Sequence, residues 1–257
     1  MDLGAVTATL RAAGCVFAED EAALLLEEAP DDVALTAMLA RRVAGEPLEQ
    51  VVGFAEFCGL RILVAPGVFV PRQRSTLLVR HAAADLRAGD VVVDLCCGTG
   101  AIGAALQAAV PDLEVYAADL DPAAVACARR NLAPDRVVEG DLYDALPRHL
   151  RGHVAAIVAN APYVPTDAIA TMPPEAREHE HRVALDGGPD GLDVQRGVVA
   201  GAGEWLAPRG RLLVETSVAQ APRTAALMTA AGLVAEITHE DDLEGTVATG
   251  RRPTVRP

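Results

Sequence analysis

Strand-like and helix-like segments alternate from residue 76 to the end of the chain, and this alternation constrains the fold more than any other feature. Strands are predicted at residues 91–94, 113–119, 136–138, 155–159, 211–215, 233–238 and 246–249. Helices are predicted at residues 76–87, 101–109, 122–132, 191–206 and 220–231. Strands that alternate with helices form a mostly parallel sheet covered on both faces, so the fold class is α/β. The last two strands are joined by a polar loop and can place one antiparallel strand in the sheet.

The first 75 residues have a different pattern, which predicts a separate small unit. Apolar residues recur there at helical spacing and predict three helices, at residues 3–13, 20–29 and 31–44. Two apolar runs then flank Cys58-Gly59, as expected for a short antiparallel hairpin. We therefore divide the chain into an N-terminal helical domain (1–48), a β-hairpin connector (49–75) and an α/β domain (76–257).

The charge of the chain argues against a nucleic-acid substrate. Its net charge is −14, and acids outnumber arginines, which supply all the basic residues, both before and after residue 75. A surface that follows phosphates normally carries a basic patch, because counterion release drives such binding. We therefore expect no nucleic-acid partner.

Hydropathy and cysteine content predict a cytoplasmic protein. No uninterrupted apolar stretch approaches the roughly 20 residues that a membrane helix needs, and the N-terminus shows no signal-peptide pattern. The five cysteines form no CxxC pair, which favours reduced packing residues over disulfides or zinc ligands. We expect no membrane association and no metal.

A glycine turn, Asp94-Leu95-Cys96-Cys97-Gly98-Thr99-Gly100, follows the first strand of the α/β domain. Gly98 and Gly100 allow the tight turn and close backbone approach that a nucleotide-like ligand requires, although such turns also connect strands without binding anything. Because the carboxyl ends of neighbouring parallel strands meet at one edge of a sheet, acids after the next two strands can complete the site.

Asp119 ends the second strand of this domain and can accept both hydroxyls of a ribose. Its alternative role is to cap the helix that begins at Pro122, for which Asp121 is better placed. Asp141 follows the third strand and can accept from an adenine amino group while Leu142 covers the ring; its alternative role is that of a turn aspartate. Together with the glycine turn, these acids predict a cofactor site.

The motif Asn160-Ala161-Pro162-Tyr163 follows the apolar run 155–159 and carries the most specific signal. Asn160 Oδ1 and the Ala161 carbonyl can each accept one N–H of a planar NH2 group, while Tyr163 stacks on its face and Pro162 restricts the chain. The alternative is an Asx-type turn that contains proline. With the cofactor site, the motif predicts methyl transfer from S-adenosylmethionine to an amide or amino nitrogen.

These residues resemble the HemK/PrmC family of protein-(glutamine-N5) methyltransferases, and the resemblance covers nearly the whole chain. The other segments that carry it are Gly45–Leu48, Val52–Leu60, Pro66–Arg72 and Ala184–Leu192. The resemblance implies a class I, Rossmann-like methyltransferase domain that uses S-adenosylmethionine, and a helical N-terminal domain that recognises the protein substrate. It also implies methylation of a protein glutamine, either that of the GGQ motif of peptide-chain release factors or one in a ribosomal protein.

The residues of the predicted site fall into two groups. Those predicted to bind the cofactor are Asp94, Cys96, Gly98, Thr99, Gly100, Asp119, Asp141, Leu142 and Asn160. Those predicted to hold the acceptor amide and act in catalysis are Asn160, Ala161, Pro162 and Tyr163. The resemblance assigns Cys96, Gly98 and Gly100 to the methionine part of the cofactor.

Three departures from the family pattern suggest a divergent branch. The family usually has NPPY where this chain has Asn160–Tyr163, and a Gly-Thr pair where it has Cys96-Cys97. After Pro71-Arg72 the family usually has Pro, an acid, Thr and Glu, whereas this chain has Gln73-Arg74-Ser75-Thr76. The last change exchanges two acids for a cation and a neutral group near the site.

The sequence is also compatible with two other functions. An N6-adenine methyltransferase could hold a base with the same motif, and a non-catalytic module could bind cofactor and a partner protein. Glu178-His179-Glu180-His181-Arg182 has no recognised zinc spacing, so we expect Glu180 to make an ordering hydrogen bond or an ion pair with Arg182. Glu215-Thr216-Ser217 is expected to shape the site rather than to supply a nucleophile.

Overall fold

The computed structural model describes residues 1–254. Its α-helices are α1 (Leu3–Ala12), α2 (Ala18–Glu28), α3 (Asp32–Val43), α4 (Leu48–Val52), α5 (Thr76–Ala83), α6 (Ala101–Ala109), α7 (Pro122–Ala128), α8 (Pro174–His179), α9 (Asp193–Trp205) and α10 (Ala221–Ala230). Its strands are β1 (Phe54–Phe57), β2 (Leu60–Leu63), β3 (Val91–Leu95), β4 (Glu114–Asp119), β5 (Val137–Glu139), β6 (Val154–Ala159), β7 (Leu206–Glu215), β8 (Val234–Glu240) and β9 (Gly245–Arg251). Within the described residues, no helix is long and apolar enough to span a membrane.

The first four helices share a small core of their own. Val6 and Leu10 of α1 pack with Leu25 of α2 and Leu39 of α3. Val51 of α4 joins the same core, so the predicted domain boundary at residue 48 falls on the first residue of a helix that packs with the helical unit.

The predicted hairpin connector is present as the antiparallel pair β1 and β2. Cys58 and Gly59 both have positive φ, 51° and 76°, as a type I′ two-residue turn requires. Asn131, which follows α7, binds the hairpin to the α/β domain: its side chain accepts from the Leu63 N–H at 2.9 Å and donates to the Leu63 carbonyl at 2.9 Å.

The α/β domain is built on a seven-stranded sheet in the order β5-β4-β3-β6-β7-β9-β8. All neighbouring strands from β5 to β7 are parallel, and β9 is antiparallel to both β7 and β8, so the prediction of one antiparallel strand is confirmed. After β3 the chain builds the sheet towards β5 and then returns to place β6 on the other side of β3. Ligands bind at such a reversal, outside the carboxyl ends of the strands.

Both faces of the sheet are covered, as the alternation predicts. Val92 and Val158 face one apolar cluster, which α5, α6 and α7 complete. Val93 and Ile157 face the other, which α9 and α10 complete with Trp205 and other side chains. Successive residues of a strand point to opposite faces, and both faces are covered by helices. Every position of these strands is therefore buried, which accounts for the unbroken apolar runs.

The main boundary difference concerns β7, which begins at Leu206 and not at residue 211. Leu206 pairs with Val154, and the register then shifts before Ala156 pairs with Arg211. Polar residues interrupt the apolar pattern in this first part of β7. An alternating pattern of apolar residues therefore could not predict it as a strand.

Candidate active site

A cavity of about 440 Å³ lies at the carboxyl ends of β3, β4, β5 and β6. The glycine turn after β3 and the Asn160–Tyr163 loop after β6 both line it. Apart from Asp94 and Gly100, the predicted cofactor residues share one cavity with the predicted acceptor loop, and its volume falls in the size range of small-molecule sites.

The glycine turn presents an open backbone to this cavity. Gly98 has φ +54°, and a Cβ at this position would meet no atom within 4 Å, so the surface beside it is free for a ligand. Gly100 does not line the cavity; an added Cβ there would lie 2.9 Å from a methyl of Leu132, so its role is close packing of the turn onto the helix layer. Thr99 lines the wall, and its carbonyl accepts from Asn131 Nδ2 at 2.8 Å.

Two cysteines stand where the family has glycine and threonine. Cys96 lines the cavity and has φ +56°, a backbone conformation that is uncommon for residues other than glycine. Burial raises the pKa of both the Cys96 and the Cys97 thiols well above their usual value, and nearby carboxylates raise it further. Both side chains are therefore neutral thiols, and Cys96 adds bulk without charge to the cavity wall.

The Asp94 carboxylate lies behind the turn and outside the cavity wall. It is fully buried; Oδ2 accepts from the Gly103 N–H at 2.9 Å, and Oδ1 is among the buried polar atoms without a partner. Burial raises the pKa of Asp94 to about 8, and the neighbouring Asp119 adds to the effect. The contact of Asp94 with the cofactor stays a prediction, because Asp94 does not line the cavity.

Asp119 lines the cavity at the end of β4. Its Oδ2 accepts from the Gly98 N–H at 2.8 Å and its Oδ1 from the Asp121 N–H at 2.9 Å, and each carboxylate oxygen can accept a further hydrogen bond. Burial raises the pKa of this carboxyl, while the two N–H donors oppose the rise. The helix-capping role falls to Asp121, which accepts from the Ala123 N–H at 2.9 Å.

Asp141 and Leu142 line the adjoining part of the cavity, after β5. Asp141 is exposed, and Leu142 has φ +45°. An added Cβ on Gly197 of α9 would meet the Leu142 side chain at 2.7 Å, so this glycine makes room for it. The cavity thus combines four features: an acid for a diol (Asp119), an acid for an amino group (Asp141), an apolar cover (Leu142) and an open backbone (Gly98). This set of groups fits an adenosine-containing cofactor.

The Asn160–Tyr163 loop forms the opposite part of the cavity wall. Asn160 Nδ2 donates to the Ser75 hydroxyl at 3.3 Å, which leaves Oδ1 free to accept. Ala161 is fully buried, and within residues 1–254 no N–H is bonded to its carbonyl or to Asn160 Oδ1. The two acceptors that the motif predicts are therefore both available.

A second segment supports this loop from behind. The Val164 N–H donates to the Leu185 carbonyl at 3.1 Å, and the Gly187 N–H to the Val164 carbonyl at 2.9 Å. Gln220, which precedes α10, donates from Nε2 to the Tyr163 carbonyl at 2.9 Å, and its Oε1 accepts from Ser217. The sequence motifs gave no signal for Gln220, because its role depends on where α10 packs.

Glu215, at the end of β7, lies next to the loop and shapes the site as expected. It is 1% exposed, and its Oε1 accepts from Arg74 Nε at 3.1 Å. Val214 pairs with Ala159 across β7 and β6, so the residues that follow them, Glu215 and Asn160, lie side by side at the ends of these strands. Arg74 and Tyr163 both line the cavity, and the cation lowers the pKa of the Tyr163 phenol against the effect of burial, so the Gln73–Thr76 departure places its charge beside the acceptor loop.

Of the two contacts expected of Glu180, the ordering hydrogen bond is present, whereas the ion pair with Arg182 is wrong. Glu180 is buried, and its Oε1 accepts from Arg72 at 2.6 Å and from the Val70 N–H at 3.0 Å, while Arg182 pairs with Asp186. Arg182 lies on the exposed side of a short turn, so its side chain points to the acid four residues later. In the part of the chain that the structure describes, no group of three or more His, Cys, Asp or Glu side chains is arranged to hold a metal ion.

Comparison with known proteins places the chain among methyltransferases. Residues 59–176 match the family model described as methyltransferase small domain. A release factor glutamine methyltransferase of Mycolicibacterium smegmatis is 38% identical, over 94% of this chain and 92% of the relative. The 4-amino-L-phenylalanine/4-methylamino-L-phenylalanine methyltransferase of Streptomyces pristinaespiralis is 40% identical, over 75% of this chain and 68% of the relative.

The fold is shared more widely than the sequence. The crystal structure of a methyltransferase from Pyrococcus furiosus superposes with a TM-score of 0.58 at 16% identity, over 85% of this chain and 99% of that one. The predicted Rossmann-like methyltransferase fold is thereby confirmed.

Proposed function

The chain belongs to the family of release factor glutamine methyltransferases, and we propose that it transfers a methyl group from S-adenosylmethionine to the side-chain amide nitrogen of a glutamine in a protein. The proposed substrate is a peptide-chain release factor, as the names of these relatives state for them. A cytoplasmic location is part of this proposal.

One observation carries the proposal. Asn160 Oδ1 and the Ala161 carbonyl, both free of partners in residues 1–254, line the same cavity as the glycine turn and Asp119. Two fixed acceptors suit an NH2 group, which has two N–H donors in one plane. The replacement of the usual first proline by Ala161 keeps the carbonyl that the motif uses.

The residues of the loop act on the acceptor nitrogen by orientation and electrostatics. An amide nitrogen is a poor nucleophile because its lone pair is delocalised into the carbonyl. Two acceptors on its N–H groups stabilise the positive charge that develops on nitrogen as it leaves the amide plane, and they aim its lone pair into the cavity. Tyr163 provides an aromatic face for the amide, and the proton can leave to water afterwards, so no general base is required.

The cofactor residues divide by chemistry. Asp119 would bind the ribose hydroxyls, Asp141 and Leu142 the adenine, and the backbone around Cys96 and Gly98 the methionine part. When bound, S-adenosylmethionine supplies an electrophilic methyl group on a sulfonium.

The test is the variant Asn160→Ala with release factors of the same host as acceptors. We expect methyl transfer to fall by a factor of ~10² or more, the effect of removing one oriented polar group, while cofactor affinity changes by only a few-fold. Gly203→Ala in α9, where an added Cβ meets no atom within 4 Å, is the matched control and keeps activity. Equal loss of methylation and cofactor binding in Asn160→Ala would show a structural role and refute the proposal.

The acceptor is identified in the same assay. A release factor in which the GGQ glutamine is replaced by alanine should take up no label, and DNA and RNA should take up none. Labelled nucleic acid would instead support the N6-adenine activity. Cofactor binding without turnover on any acceptor would support the non-catalytic module.

A second candidate is N-methylation of an aromatic amine. The Streptomyces pristinaespiralis relative is named for 4-amino-L-phenylalanine, and an aniline NH2 offers the same two N–H donors as an amide. Turnover of this amino acid at a higher kcat/KM than any release factor would favour this candidate.

A further inference from the structure

Asn160 can hold an acceptor NH2 only if its own side-chain amide points the correct way. Its Oδ1 must face the cavity, because Nδ2 is a donor and would repel the N–H groups of the acceptor. The two ends of this amide have nearly the same shape, so only hydrogen-bond partners on the far side can decide between them. This inference rests on the proposed function.

Ser75 is the partner on that side. It is 2% exposed, and its hydroxyl lies 3.3 Å from Asn160 Nδ2. A hydroxyl has one proton and two lone pairs, so it can either accept from Nδ2 or donate to Oδ1 of the same amide. The direction in which the Ser75 proton points therefore decides which end of Asn160 faces the cavity.

Glu215 supplies the acceptor for that proton. Its carboxylate is buried, and it lies beside Asn160 because the preceding residues of the two strands, Val214 and Ala159, are paired; its second oxygen, Oε2, is among the buried polar atoms without a partner. A buried carboxylate lowers its free energy by accepting from any donor beside it. While it is ionised, this carboxylate can only accept, so a Ser75 hydroxyl in contact with it directs its proton to Glu215 and its lone pairs to Asn160.

We propose that Glu215 is a positioning residue that acts through Ser75 to hold the Asn160 amide with Oδ1 towards the acceptor nitrogen. The chain of contacts runs from the end of β7 to the loop after β6. No member of it other than Asn160 needs to touch the acceptor.

Arg74 makes the buried charge possible. Its Nε lies 3.1 Å from Glu215 Oε1, and a cation beside a buried carboxylate offsets part of the cost of removing it from water. Burial nevertheless raises the pKa of Glu215, against the opposing effects of Ser75 and Arg74. Burial raises the pKa of the Tyr163 phenol and the same guanidinium lowers it, so its charge also acts on the ring of the acceptor loop.

The first test is Glu215→Gln, which keeps the size of the side chain and removes its charge. The Gln NH2 can donate to Ser75, whose proton then turns to Asn160 and reverses its amide. We expect kcat to fall about 10- to 100-fold, the cost of misplacing one oriented group, with KM changed less and cofactor affinity within twofold. Thr249→Val is the matched control, because Thr249 Oγ1 is also buried without a partner but lies on β9, outside the cavity wall.

The second test is a double-mutant cycle with Ser75→Ala. If Glu215 acts through Ser75, the double variant should be no less active than Glu215→Gln alone, because the second change removes a link that is already broken. Losses that multiply would overturn the proposal, as would Glu215→Gln with a kcat within twofold of the parent.

A third pair covers the case in which Glu215→Gln does not fold. Ser75→Thr keeps the hydroxyl and should retain activity within twofold, whereas Ser75→Ala should lose at least threefold in kcat with unchanged cofactor affinity. Equal activity of these two variants would overturn the proposal. If the parent protein methylates no acceptor, the proposed function fails and this inference fails with it; an active parent with an unaffected Glu215→Gln variant overturns only the positioning role.

Discussion

Gly191→Ala tests whether the position of the acceptor loop is set from behind. Gly191 has φ +74°, and an added Cβ would lie closer than 3.0 Å to both Gln220 Nε2 and the Tyr163 carbonyl oxygen. These two separations would be 2.3 and 2.4 Å, and ordinary contacts begin at 3.4 Å, so the amide and the carbonyl must each move away from Gly191 by about 1 Å. The 2.9 Å bond from Gln220 to Tyr163 is then lost or weakened.

The magnitude follows from three contributions. Alanine in the left-handed region costs roughly 1–2 kcal/mol, and loss of one hydrogen bond costs about 1 kcal/mol. Alanine also lowers the entropy of the unfolded chain, which returns about 0.5 kcal/mol. The expected decrease in the free energy of unfolding is therefore about 2 kcal/mol. Because the displaced residue is Tyr163, we also expect kcat to fall about 10- to 100-fold, as misplacement by about 1 Å does.

Gly152→Ala separates backbone strain from displacement of the loop. Gly152 has φ +75°, but an added Cβ there meets no atom within 4 Å, so only the backbone contribution applies. Chemical denaturation and single-turnover methylation should be measured on both variants. We expect Gly152→Ala to lose stability and keep kcat. The reasoning is refuted if Gly191→Ala keeps kcat within twofold of the parent, or if the two variants lose the same stability and the same activity.

Two further predictions concern the supports of the cofactor turn. The pKa of Asp94 is raised to about 8 in the folded protein and is about 3.9 in an unfolded chain; its contribution to stability is therefore full below the unfolded value and is lost as the pH rises to the folded one. We expect the parent to lose stability over this pH range and Asp94→Asn, which cannot ionise, to lose less. Measured without cofactor, the melting temperature of the variant minus that of the parent should therefore increase from pH 4 to pH 8 and then level off. A difference that does not change with pH would contradict burial as the cause of the raised pKa. Asn131→Leu removes the bonds to Leu63 and Thr99, so we expect about 2 kcal/mol less stability and weaker cofactor binding by calorimetry; unchanged affinity would show that Asn131 serves only the hairpin.

The strands and helices could be predicted where local pattern and packing agree. β3 and β6 are apolar on both faces because helices cover both sides of the sheet, and their apolar runs are readable from sequence. The start of β7 was not readable, because the register shift near Ala156 places polar residues inside the strand. Its bounds depend on pairing with a neighbour that lies far away in the chain.

In the site, too, residues in local motifs could be predicted, whereas contacts between distant parts of the chain could not. Asp119 and Asn160 could be predicted because Asp119 ends one strand and Asn160 directly follows another, and parallel strands bring their carboxyl ends together. Their partners could not. Ser75 is 85 residues from Asn160, and Gln220 is 57 residues from Tyr163. The partner of Glu180 was predicted wrongly for the same reason: Arg182 is near in sequence, whereas Arg72 is near in space.

The Gln73–Thr76 segment shows why a departure from a family pattern needs a structure to be interpreted. From sequence, the exchange of an acid for Arg74 suggests a changed acceptor site. In the structure the guanidinium lies 3.1 Å from the buried Glu215, where a second carboxylate would raise the pKa of the first by repulsion. At the next position the chain has serine where the family has threonine, so the hydroxyl that contacts Asn160 is retained. The change at residue 74 thus acts on the charge balance behind the acceptor loop, while the group that orients Asn160 is preserved.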